Sequence, residues 1–128
     1  MSTQNFYGGL SAAADLTGKQ YHIVRLSAAY TTNQASLATD INIAGVLQNK
    51  PSTNEHASVA FEGRGKVVAG AAINANAWIT ANSSGRATSV LSGLASMVVG
   101  RALEAAGADG DIIDVMYGKP FPWPNIAI

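Results

Sequence analysis

The clearest alternation of apolar and polar positions occupies residues 111–117, DIIDVMY. Ile113, Val115 and Tyr117 recur at every second position, and Asp114 falls on the opposite set. A period of two residues is typical of a β-strand with one buried face. We therefore predict a strand here, with Asp114 on its solvent-exposed side.

The preceding segment, residues 97–103, predicts the partner strand of a β-hairpin. Val98 and Val99 are β-branched, and a Gly- and Asp-rich turn at 107–111 separates the two segments. A short helix over residues 102–106 is the alternative, because ALEAA consists of strong helix formers. The β-branched residues and the turn favour the hairpin.

Two more strands are predicted in the first half of the chain. Residues 20–26 alternate in character, and residues 41–47 form a second strand, in which Gly45 suggests a β-bulge. Residues 27–39 are small and polar and predict a loop. Residues 48–57 are rich in turn-forming residues and predict a connection.

The middle of the chain suggests further short strands joined by turns. Residues 58–62 and 66–69 flank Gly63-Arg-Gly65, which predicts a hairpin with a glycine-bearing loop. Residues 82–85 predict another turn, and residues 87–96 fit either a loop or a short helix. Short strands at this spacing predict a mainly β fold, a small antiparallel β-barrel or β-sandwich.

The β-domain, residues 20–116, is flanked by two segments of different character. Residues 1–19 predict an extended arm, with a helical turn at 12–16 as an option. Residues 117–128, YGKPFPWPNIAI, contain prolines that forbid a helix and favour an extended path. Either arm could dock on its own domain or on a neighbouring subunit, and we favour the neighbour. The candidate interface residues in the arms are Phe6, Tyr7, Leu10, Phe121, Trp123, Ile126 and Ile128.

The composition narrows the classes of function. The chain has 128 residues, of which 48% are hydrophobic and only 12% charged. A small protein with so few charges is expected to work against another protein surface. The 8 basic and 8 acidic residues cancel and form no basic run, which argues against binding to nucleic acid.

The absence of cysteine and the short apolar stretches indicate in which compartment the chain is expected to be made. The chain has no cysteine, which excludes disulfides and thiolate metal sites and fits assembly in a reducing cytoplasm. The first residues lack the basic and apolar regions of a signal peptide. The longest apolar stretches are too short to span a bilayer, so no membrane role is expected.

Two motifs resemble ligand-binding loops but have the wrong spacing. Residues 63–66, GRGK, would need Gly at 60 and Ser or Thr at 67 for a phosphate loop, where Ala60 and Val67 stand. The aspartates at positions 109, 111 and 114 lack the Gly and Glu of a calcium loop. We expect an exposed hairpin loop carrying Arg64 in the first case and turn-forming acids in the second.

No group of residues predicts an enzyme, a cofactor or a metal. His22 and His56 lack a carboxylate-rich partner pattern or a nucleophile elbow, so structural roles come first. Trp78 and Trp123 could stack on a sugar, although a tryptophan in a small β-domain more often packs in a core or interface.

The order and spacing of several short motifs resemble a known family. These motifs are IAGVLQNKP (43–51), SVAFEG (58–63), KVVAGAAI (66–73), NSSGR (82–86), GRALEAA (100–106) and GDIIDV (110–115). Together they resemble the small capsid cement, or head decoration, proteins of tailed bacteriophages, over about residues 21–116. The chain departs from that pattern at residues 74–77, where a Gly-Asp turn is expected, and in its long aromatic tail.

The resemblance implies a structural virion protein on the capsid exterior, made in the host cytoplasm. It implies binding to the major capsid protein and self-assembly, with a homotrimer favoured over a dimer. Arg64 and Arg86, in the exposed loops, join the arms as candidate contacts. The rival hypotheses are a small β-sandwich that binds glycans or a host surface through Trp78 and the loops, and, less favoured, an enzyme with a site split between subunits.

Overall fold

The computed structural model describes residues 5–7, 9–36, 42–90 and 96–123, with side chains over 9–36, 42–90 and 96–121. The described residues form β-strands and no helix, which confirms the expected mainly β fold. The strands are β1 (Asn5–Tyr7), β2 (Ser11–Ala12), β3 (Ile23–Ala28), β4 (Thr31–Gln34), β5 (Ile43–Leu47), β6 (Val59–Val68), β7 (Trp78–Ala81), β8 (Ala87–Ser89), β9 (Ser96–Ala102) and β10 (Ile112–Trp123).

These strands belong to one mixed sheet. Its order is β2-β4-β3-β5-β6-β10-β9-β7-β8, and β1 pairs with β6 beside that path. The pairings are antiparallel except for that of β2 with β4. In the described part of the chain the order does not close on itself, so the finer expectation of an antiparallel barrel or sandwich is not confirmed. A single parallel bridge between Ala69 and Ala87 brings β8 against the end of β6.

The predicted hairpin around Gly63-Arg-Gly65 is wrong, because β6 runs through these residues as one strand. Its first residues pair with β1 and β5, and Gly63 to Val68 pair with β10. Gly63 lies opposite Tyr117 and Gly65 lies opposite Val115 in that ladder. Glycines without side chains leave room for these bulky partners and let the strand bend between its neighbours, with φ of 104° at Gly63.

The segment predicted as a loop at 27–39 contains β4, which forms a hairpin with β3. Because β4 consists of polar residues, no alternation of apolar and polar positions predicts it as a strand. Thr32 is nevertheless buried, and its hydroxyl donates a hydrogen bond of 2.6 Å to the Arg25 carbonyl. Residues 87–89 form β8 in place of the loop or helix considered there, and residues 91–95 of that segment lie outside the described residues.

The predicted bulge at Gly45 is confirmed. The β3–β5 register shifts between Val24, opposite Gly45, and Arg25, opposite Ile43. A side chain at Gly45 would collide with the Ala60 carbonyl oxygen, so the close approach of β5 and β6 requires glycine.

The predicted C-terminal hairpin is also confirmed, and the helix alternative over 102–106 is wrong. Ala102 of β9 lies opposite Val115 of β10, and the described part of β10 buries Ile113, Val115 and Tyr117. The strand does not end at 116. Its pairing with β9 is interrupted after Tyr117 and resumes at Phe121, so residues 118–120 form a bulge.

Two apolar clusters lie on opposite faces of the central strands. Ile23 of β3 belongs to the larger cluster and the adjacent Val24 to the smaller one. Leu10 and Leu16 cover the smaller cluster, so part of the segment predicted as an N-terminal arm packs in this chain's own core. The residue 12–16 helical turn is not formed. The remaining members of the smaller cluster are Ala12, Ala44, Leu47, Ala57 and Val59.

Candidate functional site

The solvent-facing side of β10 and β9 carries large apolar side chains. Alternation along β10 turns Ile112 and Met116 away from the core, with 52% and 47% of their surfaces exposed. Leu103, just after β9, is 43% exposed. Single exposed apolar residues are ordinary, but a contiguous group marks an interaction surface.

Met116 and Leu103 border an apolar groove of about 340 Å³, whose walls also include Trp78 of β7 and Phe121 of β10. The indole of Trp78 and the ring of Phe121 pack edge to face, with centroids 5.8 Å apart and planes at 85°. Such aromatic pairs contribute about 0.5–1.5 kcal/mol beyond their buried area. This edge-to-face contact fixes the positions of two aromatic side chains in the groove wall.

Arg101 is the charged residue of this groove. It lies opposite Trp78 in the β7–β9 ladder, and its guanidinium carbon is 4.8 Å from the centroid of the indole. Its Nε donates a hydrogen bond of 2.8 Å to the Asn76 carbonyl. Both contacts fix the guanidinium against one face of the tryptophan.

Two glycines line the groove in different ways. A side chain at Gly100 would collide with the Met116 carbonyl oxygen, so β9 and β10 can approach only because this residue is glycine. A Cβ atom at Gly118, in the bulge of β10, would meet no atom within 4 Å. The groove is therefore tightly packed at Gly100 and open at Gly118.

A charge cluster lies beside the groove, where β6 pairs with β10. Asp114 accepts hydrogen bonds from Arg64 Nη2 at 3.1 Å and from Lys66 Nζ at 3.0 Å. The hydrogen bonds from Lys66 and then Arg64 lower the pKa of Asp114, and the bond to Asp114 raises the pKa of Lys66. Because these groups are exposed, the pairs contribute little to stability. Asp114 compensates only part of the charge of these two cations.

A second polar cluster surrounds His22. Arg86 donates from Nη1 to Asp109 at 2.7 Å and from Nε to His22 Nε2 at 3.4 Å. His22 Nδ1 lies 3.2 Å from the Gln20 carbonyl, which fits a neutral ring protonated on Nδ1. Burial is the main cause that lowers the pKa of His22. Arg86 thus ties the turn at 82–85 to His22, the residue before β3, and to the turn at 107–111.

The aspartates considered for calcium have separate structural roles. Asp109 pairs with Arg86, and Asp114 pairs with Arg64 and Lys66. Asp111 Oδ2 accepts the backbone N–H groups of Gly107 and Ala108, at 2.8 and 3.2 Å. Among the described residues no three metal-ligating side chains converge.

The candidate residues from the sequence do not form one site. Phe121 lines the groove, whereas Arg64 and Arg86 belong to the two charge clusters and Leu10 packs in the core. The backbones of Phe6 and Tyr7 pair with β6, and that of Trp123 pairs with Ser96. Ile126 and Ile128 lie outside the described residues.

From the sequence, Trp78 was expected in a core or interface or as a stacking surface for a sugar, and Arg101, Leu103 and Met116 were not predicted as site residues. The signal was present in β10. Met116 shares the alternating set of Asp114 and is apolar on a face predicted to be polar. An apolar residue on the exposed face of a strand is the pattern of a contact surface.

The chain matches no protein-family model and none of the curated proteins with which it was compared. None of the described residues belongs to a helix that could span a bilayer.

Proposed function

We propose that this chain is a structural virion protein that binds the outer surface of a bacteriophage capsid and bridges neighbouring major capsid subunits. The resemblance of its motifs to capsid cement proteins suggests the partner. The observation that carries the proposal is the exposed apolar groove formed by Trp78, Leu103, Met116 and Phe121. A protein with such a surface and few charges is suited to a lasting contact with another protein.

The proposed mechanism is thermodynamic linkage. A chain that contacts two shell subunits at once binds the assembled lattice in preference to separate subunits. Each bound copy then stabilises the assembled state, by about 2.7 kcal/mol when the free chain is at 100 times its dissociation constant. Many copies on one shell together oppose the outward pressure of packaged DNA.

Self-association belongs to the same proposal. We expect a homo-oligomer, a trimer in preference to a dimer, that presents several grooves to the shell. Several linked grooves would raise the effective affinity without any new type of contact. Light scattering coupled to size-exclusion chromatography measures the subunit number, and a monomer at micromolar concentration would contradict this part.

The experiment that tests the function compares shells with and without the chain. Decorated shells are expected to release DNA at a higher temperature and to survive osmotic shock that opens bare shells. Equal survival would contradict the cementing role.

A glycan-binding module is the second candidate, because Trp78 lines an exposed groove. Arg101 lies over one face of its indole, which leaves a sugar less of the aromatic surface on which to stack. A sugar-dependent change in tryptophan fluorescence that is lost in Trp78→Phe would favour this candidate over the capsid role.

A further inference from the structure

We propose that Arg101 is a charge-specific anchor, which binds an Asp or Glu carboxylate of an extended partner segment whose apolar side chains lie against Trp78, Met116 and Phe121. This inference deepens the proposed function and rests on it for the identity of the partner, a segment of a major capsid subunit. The chemistry of the groove can be tested without a shell.

The first observation is that Arg101 has no acidic partner among the described residues. In the described part of the chain, Arg64 and Lys66 pair with Asp114, and Arg86 pairs with Asp109. Arg101 donates only its Nε, to the Asn76 carbonyl, and makes no ion pair with another described residue. Its exposed terminal nitrogens form the planar fork that recognises a carboxylate through two hydrogen bonds.

The second observation is that Arg101 is already held in place. The Asn76 carbonyl and the Trp78 ring restrain its side chain before any partner arrives. A restrained arginine loses less side-chain entropy on binding than a freely rotating one. The groove is therefore preorganised for an anion at this position.

The surroundings select the kind of anion. The groove walls at Trp78, Leu103, Met116 and Phe121 are apolar, and Arg101 is the single cation among the described residues that line it. Nucleic acid chains require several cations along a surface. One carboxylate beside apolar side chains matches both the single charge and the apolar walls, and an extended protein segment presents that combination.

Gly118 provides a way to block the groove without disturbing the fold. A Cβ added there meets no atom within 4 Å, and its backbone is outside the left-handed region. Gly118→Leu is therefore expected to fold normally and, because Gly118 lines the groove, to obstruct it. Gly18 has the same open surroundings away from the groove, so Gly18→Leu is the matched control.

The probes are a small aromatic carboxylate, 4-phenylbutyrate, and its neutral amide, 4-phenylbutanamide. Each is titrated into the purified, ¹⁵N-labelled full chain, and amide chemical shifts are followed at Arg101 and Gly118. We expect the carboxylate to bind about threefold to fivefold more tightly than the amide, as one partly exposed ion pair allows. Arg101→Gln should remove that preference and leave binding of the amide. Gly118→Leu should abolish binding of both probes, and Gly18→Leu should not.

Arg64→Gln is the charge control, because Arg64 is a nearby cation that already pairs with Asp114. It should leave the carboxylate preference unchanged. Equal binding of the two probes, no shift at Arg101, or a preference that survives Arg101→Gln would overturn the inference. If the preference is found but the chain does not bind shells, the proposed function fails and the groove assignment stands.

Discussion

At the scale of single residues, the buried polar side chains determine how stability responds to pH. His22 is buried between the Gln20 carbonyl and Arg86, and Lys19 and Arg86 are the cationic groups that act on it. Its neutral form suits this position, because protonation would place a second cation beside Arg86 at a buried site. Asp109 is bound to the far side of Arg86 and compensates that charge in part.

His22 predicts a loss of stability in mild acid. Its pKa in the folded chain is lowered from 6.5, mainly by burial. The unfolded chain therefore takes up a proton first as the pH falls below about 6.5, and the free energy of unfolding decreases. Urea unfolding between pH 7.5 and 5 measures this slope. His22→Gln should reduce the slope, whereas His56→Gln, an exposed site, should keep it; an unchanged slope in His22→Gln would contradict the assignment.

Tyr117 predicts a second loss of stability in alkali. Burial raises the pKa of Tyr117 from 10.0 to about 12, and its hydroxyl donates to the Lys66 carbonyl. Because the unfolded chain loses the proton near pH 10, the free energy of unfolding should fall between pH 10 and 12, by about 2–3 kcal/mol. Tyr117→Phe should be less stable at pH 8 and lack this decrease. A wild-type decrease no larger than that of Tyr117→Phe would contradict the prediction.

At the scale of elements, glycine positions decide how closely the strands approach. Gly100 of β9 lies against the Met116 carbonyl of β10, whereas Gly118 faces open space. The two residues lie on neighbouring paired strands and therefore form a matched pair.

Gly100→Ala should destabilise the chain by about 1–3 kcal/mol, because the added methyl group forces β9 and β10 apart. Gly118→Ala should change the free energy of unfolding by less than about 0.5 kcal/mol, as at an ordinary surface site. Denaturant unfolding of both variants checks the difference. Equal effects would show that the close contact at Gly100 does not constrain the sheet.

The same elements explain which parts of the fold could be predicted from the sequence. The β9–β10 hairpin was predictable because Ile113, Val115 and Tyr117 keep a strict period of two and an acidic, glycine-rich turn precedes them. The continuous strand β6 was not predictable, because glycines such as Gly63 and Gly65 favour a turn when only neighbouring residues are considered. Their role opposite Tyr117 and Val115 depends on a strand about 50 residues away along the chain, which no local pattern reveals.

The groove could not be predicted from the sequence for a related reason. Trp78, Arg101 and Phe121 come from three strands, and only the β7–β9–β10 pairing places them together. A single alternating pattern shows that Met116 faces outwards. It does not show which other residues share that face.

At the scale of the whole molecule, the small number of charges favours binding to another protein through apolar contact and not through ion pairs. Among the described residues, the ion pairs of Asp114 with Arg64 and Lys66 are exposed, and the pair of Arg86 with Asp109 is partly exposed. Because these charges are already paired within the chain and screened by water, they contribute little to an external contact. The apolar groove and Arg101 therefore remain as the main features with which the chain can bind another protein.

Attachment to a shell should therefore depend weakly on salt. At about 1 M salt the screening length is about 3 Å, which weakens ion pairs but not apolar contact. We expect the dissociation constant to rise by less than about tenfold between 0.05 and 1 M salt, since one exposed ion pair contributes ~1 kcal/mol or less. Sedimentation of shells with bound chain measures it. A larger rise would show that charge steering dominates.

We propose that the chain binds the assembled lattice of a phage shell through the groove. The most direct measurement is co-sedimentation of the labelled chain with empty shells of the phage proposed to encode it, compared with binding to the separated major capsid protein. We predict saturable binding to shells, weak binding to separate subunits, loss of shell binding in Gly118→Leu and retention in Gly18→Leu. Equal binding to shells and subunits, or undiminished binding of Gly118→Leu, would contradict this account.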